Sequence, residues 1–94
     1  MKIAAELKHA NAMDIRDFSQ FDMIYNFNAL PRRPLAIVLD NIVDSVRRSR
    51  KEVIILFSNF QAQNRDLLAR PEIAILGEMR RTTDYLLARV HSGL

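Results

Sequence analysis

Residues 34–70, PLAIVLDNIVDSVRRSRKEVIILFSNFQAQNRDLLAR, contain no glycine and no internal proline, and whether they form one helix or alternate helix with strand decides the fold. Projected at 100° per residue, Leu35, Val38, Leu39, Ile42, Val43, Val46, Val53, Leu56, Phe57, Phe60, Leu67 and Leu68 fall within about 140° of one another. That stripe predicts a long amphipathic helix. Pro34 suits a first turn, where its missing N–H costs nothing, and Pro71 forces a stop near Arg70. Asp44–Arg48, Arg48–Glu52 and Asp66–Arg70 are opposite charges at i,i+4, each worth a few tenths of a kcal/mol to a helix.

The same stretch has a second reading. Residues 35–39 (LAIVL) and 53–57 (VIILF) are short runs rich in β-branched side chains, each followed by turn-capable residues, Asp40-Asn41 and Ser58-Asn59. They would make a strand–helix–strand unit with a parallel sheet. Residues 42–60, IVDSVRRSRKEVIILFSNF, resemble the part of Toll/interleukin-receptor domains that runs from a helix into a central strand. FDMIYNF at 21–27 loosely resembles the first strand of that fold. The resemblance implies a truncated α/β signalling module. Between its two pieces stands only ALPRRPLAIVLDN, too short for that fold's intervening helix, strand and proline-glycine loop, and the family's aromatic-cysteine pair is absent.

Outward from the centre, 71–92 also reads as a helix. Ile75, Leu76, Met79, Thr83, Leu86, Leu87 and Val90 share a face about 120° wide. Gly77 is the anomaly, because glycine in a helix interior costs about 1 kcal/mol relative to alanine; it marks a close approach by another element, a break, or a tolerated residue. Residues 1–30 read as an N-terminal helical segment: a helix near 2–11 on Ile3, Leu7 and Ala10, then a second capped by Asp14. Phe21, Met23, Tyr25 and Phe27 also alternate with period two, as a strand would.

Composition agrees with helices. The 94 residues hold only two glycines and three prolines, few for the turns of a small sandwich or barrel. The expectation is one all-α domain over 1–94, a small helical bundle or long helical hairpin, oligomeric and cytoplasmic. A helix over 35–70 would be about 54 Å long, against about 30 Å for a compact chain of this size, so part of its apolar stripe would need cover from elsewhere. Ile37 and Ile55, both opposite the stripe, suggest packing on two sides.

The expected function is therefore non-enzymatic: an adaptor, chaperone-like or assembly subunit acting by burial of a helix face. Val46, Val53, Leu56, Phe57, Phe60 and Leu67 would meet a protein partner or a second copy. The alternative is a small basic nucleic-acid-binding or regulatory dimer. The net charge of +3 divides into −1 over 1–46 and +4 over 47–94, and Arg47, Arg48, Arg50 and Lys51, with Arg80 and Arg81, would contact phosphates or an acidic partner. A solvated helix face neutralised by Asp44 and Glu52 accounts for the same cluster. Arg32-Arg33, between two prolines, reads as an exposed elbow.

No catalytic constellation, metal set or cofactor motif is expected. The chain has no cysteine, His9 and His91 sit at opposite ends, and Asp40 and Asp44 have no histidine near them in sequence. No run approaches the roughly 20 apolar residues of a membrane span, and no small-molecule substrate is indicated.

Overall fold

The computed structural model describes residues 3–4, 15, 17–26, 31–80 and 84–92. It is an α/β fold built on a mixed sheet, which corrects the expectation of an all-α bundle or hairpin. The sheet's four main strands are β2 (Met23–Asn26), β3 (Val53–Ser58), β4 (Ile73–Arg80) and β5 (Asp84–Val90). A two-residue strand, β1 (Ile3–Ala4), lies parallel beside β2, so the order across the sheet is β1-β2-β3-β5-β4. β2 and β3 are parallel, and the helix α1 (Arg32–Ser49) connects them. β5 runs antiparallel to β3 on one side and to β4 on the other.

The expected helix over 34–70 is really three elements. Its first part is α1, where Leu35, Val38, Leu39, Ile42, Val43 and Val46 are all buried at helical spacing. The helix ends at Arg50, which takes the left-handed conformation at φ 61° and donates its N–H to Val46 O at 2.8 Å. Arg47 and Arg48 in the last turn suit the negative end of the helix dipole.

After the turn the period changes from 3.6 to 2. Val53, Ile55 and Phe57 point into the core, while Ile54 and Leu56 point the other way. A run of five apolar residues fills every helical face as readily as both faces of a strand, which is why it extended the stripe. A second left-handed residue, Asn59 at φ 60°, turns the chain into a 3-10 helix over Ala62–Leu68. The molecule's longest extent is 36 Å, so a 54 Å rod has no room.

The expected helix over 71–92 is the hairpin β4–β5, and the strand-like alternation around residue 23 is β2. The expected helix near 2–11 and the Asp14 cap fall outside the described residues, apart from the backbone of β1.

The core lies between α1 and one face of the sheet. Ile24, Val53, Ile55, Phe57, Leu86, Ala88 and Val90 meet the buried stripe of α1, and Phe18 and Leu68 close the ends. Phe18 is wholly buried, and its N–H donates to the equally buried Ser45 Oγ at 2.8 Å, so this loop is sewn to the helix without leaving an orphan donor. Phe57 and Phe60 pack as a tilted ring pair with centroids 5.0 Å apart. Among the described residues no helix is long and apolar enough to cross a membrane.

Candidate functional site

The strand registers define the second face of the sheet, opposite α1. Residues paired across antiparallel strands share a face, and parallel β2 follows the same alternation. One row therefore runs Tyr25, Leu56, Leu87, Gly77, and the next runs Met23, Ile54, Arg89, Ala74. A third pairs Ser58, Tyr85 and Met79. No helix among the described residues lies on these rows; antiparallel strands such as β3, β5 and β4 commonly leave one face to solvent, which makes the side chains on that face the ones to inspect.

This face carries an open groove of about 390 Å³ lined by Leu56, Gly77, Glu78, Met79, Tyr85 and Leu87. Its walls are apolar and partly wet: Met79 is 52% exposed and Tyr85 37%. The groove reaches the outermost strand, β4, through Gly77 and Met79; on the same strand Leu76 is 50% exposed, and Ile75, which pairs with the inward Ala88, is 39% exposed at the sheet's edge. A β-bulge between Ile75 and Gly77 shifts the register there. Leu76 is the extra residue, and the shift moves Gly77 and Met79 onto the groove side. Edge strands usually hide such side chains behind charge or cover.

Gly77 borders the bulge, yet neither packing nor a left-handed φ requires glycine there. A Cβ at this position would meet nothing within 4 Å, and its φ lies outside the left-handed region that favours glycine. In a strand interior a glycine marks a bulge, as here, or a place where a ligand or another backbone comes close. Arg89 is the one charged side chain in the middle rows. Its Nε is buried and has no hydrogen-bond partner, and no ion pair holds the guanidinium among the described residues.

The residues singled out from the sequence are scattered by this architecture. Val46, Val53, Phe57 and Phe60 are buried in the chain's own core, and Leu67 packs at its margin. Of the expected partner-binding set, Leu56 alone reaches the open face. The basic cluster is drawn into separate ion pairs. Arg47 holds Glu72 through Nε at 3.0 Å, Arg48 holds Asp44 at 3.1 Å, and Lys51 holds Asp22 at 3.1 Å. Arg50 is exposed; the side chain of Arg80 and all of Arg81 lie outside the described residues. Arg32 of the expected elbow makes a forked contact with Asp66, Nη1 to Oδ1 at 2.8 Å, which fastens the start of α1 to the 3-10 helix.

These contacts also set the titration of the acids. The Arg47 guanidinium bonded to Glu72 holds that carboxyl below its usual range, and Arg32 does the same to Asp66. Asp17 is lowered chiefly by the Ser19 hydroxyl and N–H. Each lowered acid is accounted for by a structural contact. Among the described residues no group of three or more acids and histidines is placed to hold a metal ion.

Sequence reasoning missed Gly77, Met79, Tyr85, Leu87 and Arg89 as a set. The signal was Leu86, Ala88 and Val90 alternating with Tyr85, Leu87 and Arg89, which places an arginine among apolar residues on the outer face of a strand. No family model, curated protein or solved structure matches this chain. The resemblance to Toll/interleukin-receptor domains rests only on the succession of helix and strand over 42–60 and on β2.

Proposed function

We propose that the chain is a protein-interaction module, an adaptor or assembly unit, that docks through the open face of its sheet. The observation that supports this is the one-sided layering: α1 covers one face, while the opposite face presents an apolar groove running onto an exposed edge strand. Covering a leucine- or methionine-sized side chain is worth roughly 1.5–3 kcal/mol when complete. The partly exposed Met79 and Tyr85, with Leu56 and Leu87 beside them, are therefore a reserve that a partner could draw on. The basic residues flank the fold and would set orientation and on-rate more than affinity.

The test is site-specific photo-crosslinking with the probe amino acid at 79 or 87, compared with 33 or 44 on the exposed side of α1. Discrete adducts at 79 and 87 that vanish in Leu56→Asp are expected. Adducts confined to α1, or equal labelling at all four positions, would refute the proposal.

A second reading rests on Asn64. Its side-chain amide nitrogen and oxygen are both buried without a hydrogen-bond partner. It lies in the 3-10 helix that follows the carboxyl end of β3 and is tied to the start of α1 through Arg32. Open α/β sheets bind small ligands at the carboxyl ends of parallel strands. By that fold-level analogy, a small polar ligand with adjacent donor and acceptor would pair with this amide. A thermal-shift screen of such compounds against wild type and Asn64→Leu tests it: a shift seen only in wild type supports it, and no shift in either removes it.

A further inference from the structure

We propose that the occupant of the open face is an amphipathic α-helix from outside residues 1–94, laid along the groove over Gly77 and Leu87 with one of its carboxylates on Arg89. This rests on the docking face proposed above and names its partner's chemistry.

Three observations carry it. The first is Gly77. Empty space stands over it, and neither a left-handed φ nor its own chain's packing requires glycine. The missing side chain lowers the groove floor and lets a helix approach the sheet closely.

The second is Arg89. Its stem lies on the open face between Ile54 and Ala74, the residues it pairs with on either side, and its Nε is buried without an acceptor. Further burial of that guanidinium without a counter-charge would be costly. The occupant must therefore bring an acceptor, and a carboxylate is the one that makes a forked, charge-assisted pair with arginine.

The third is spacing. Leu87 and Arg89 are same-face neighbours on one strand, about 6.7 Å apart. One turn of helix separates side chains at i and i+4 by about 6 Å. An apolar anchor over Leu87 and an acid over Arg89 thus fall on one helix face, one turn apart.

A second copy of this chain suits the site less well. Glu78, at the groove's rim, pairs with the inward Leu86 and is already bound to Arg65. Two sheets face to face would add a second Arg89 and no free acid from the groove.

The test is selection from a display library of helix-forming peptides, randomised on one face, against the immobilised 94-residue protein. We expect enriched sequences with apolar residues at i, i+3 or i+4, and i+7, and Asp or Glu at one fixed position. Repeating the selection on Arg89→Glu should turn that position to Lys or Arg. Swapping peptides between the two proteins should weaken binding about tenfold or more, the equivalent of at least about 1.4 kcal/mol. Circular dichroism confirms that the variant is folded. Extended peptides, helices with no preferred acid, or no enrichment at all would overturn the proposal. So would a wild-type dimer that Leu87→Asp dissociates. Peptides that bind Leu87→Asp unchanged would sink the docking face itself, whereas loss of binding in Leu87→Asp with no acid preference would sink only the pairing with Arg89.

Discussion

Leu86 and Leu87 are neighbours in one strand, yet one is 3% exposed beneath α1 and the other lines an open groove. The two faces of this sheet are built from similar side chains, valine, isoleucine, leucine and aromatics, and differ in what covers them. On the inner face Val53, Ile55, Phe57, Leu86, Ala88 and Val90 are filled in by the stripe of α1. On the outer face Tyr25, Ile54, Leu56 and Leu87 are only partly buried, and Met79 and Tyr85 are left wet. Apolar character therefore fails to distinguish core from docking surface; the number of helix layers does.

The largest effect that would test this contrast is on the inner face. Phe57→Ala should cost about 3–5 kcal/mol, much of the stability of a small domain. Leu56→Ala, one residue away on the outer face, should cost about 1–2 kcal/mol, since only part of its area is hidden. Urea unfolding of both variants checks the ratio, and equal losses would mean that the outer face is already covered. The Phe57 and Phe60 rings, which a helical reading sets on a partner-binding stripe, should be indispensable to the lone chain.

A smaller loss is expected where the helix meets the Phe18 loop. Ser45→Ala strands the buried Phe18 N–H and should cost about 1–3 kcal/mol, read from the same unfolding curves.

The seam between α1 and the start of β4 should show in the pH dependence. Arg47 lowers the Glu72 carboxyl below its ordinary value of 4.5. A group whose folded value is depressed contributes stability that is complete above the unfolded value and disappears as pH falls through the folded one. Wild type should therefore lose stability on acidification below about pH 4.5, and Glu72→Gln should lose less over that interval. Parallel pH curves for the two proteins would remove the contact from the account.

The smallest effect on stability should come from Gly77→Ala, within about 0.5 kcal/mol and in either direction, since nothing stands over that position. Its effect on binding of a selected helical peptide should be much greater, and titration against wild type measures it.

These contrasts also explain what was legible in the sequence. Leu35 through Val46 announce α1 because a helix against a single layer buries one stripe, and the period survives intact. The strand at Val53–Ser58 was visible only as a competing reading. Val53, Leu56, Phe57 and Phe60 sit at i, i+3, i+4 and i+7, so a strand apolar on both faces imitates a helix. The β4–β5 hairpin was hidden by its bulge. Ile73 and Ile75 pair with the inward Val90 and Ala88, but after Leu76 it is Glu78 that pairs with the inward Leu86. One extra residue reverses the alternation, and what remains imitates a period of 3.6. The docking groove was illegible for the same reason, because its residues become neighbours only once that reversed register is known.

The chain has no cysteine, so one introduced thiol reports on one position. The reaction rate of a thiol reagent with native Leu86→Cys and native Leu87→Cys is the most direct measure of the two faces. Position 87 should react at least about tenfold faster than position 86, whose label must wait for the core to open. Equal rates, or a faster thiol at 86, would mean that the sheet does not have one sealed face and one open face.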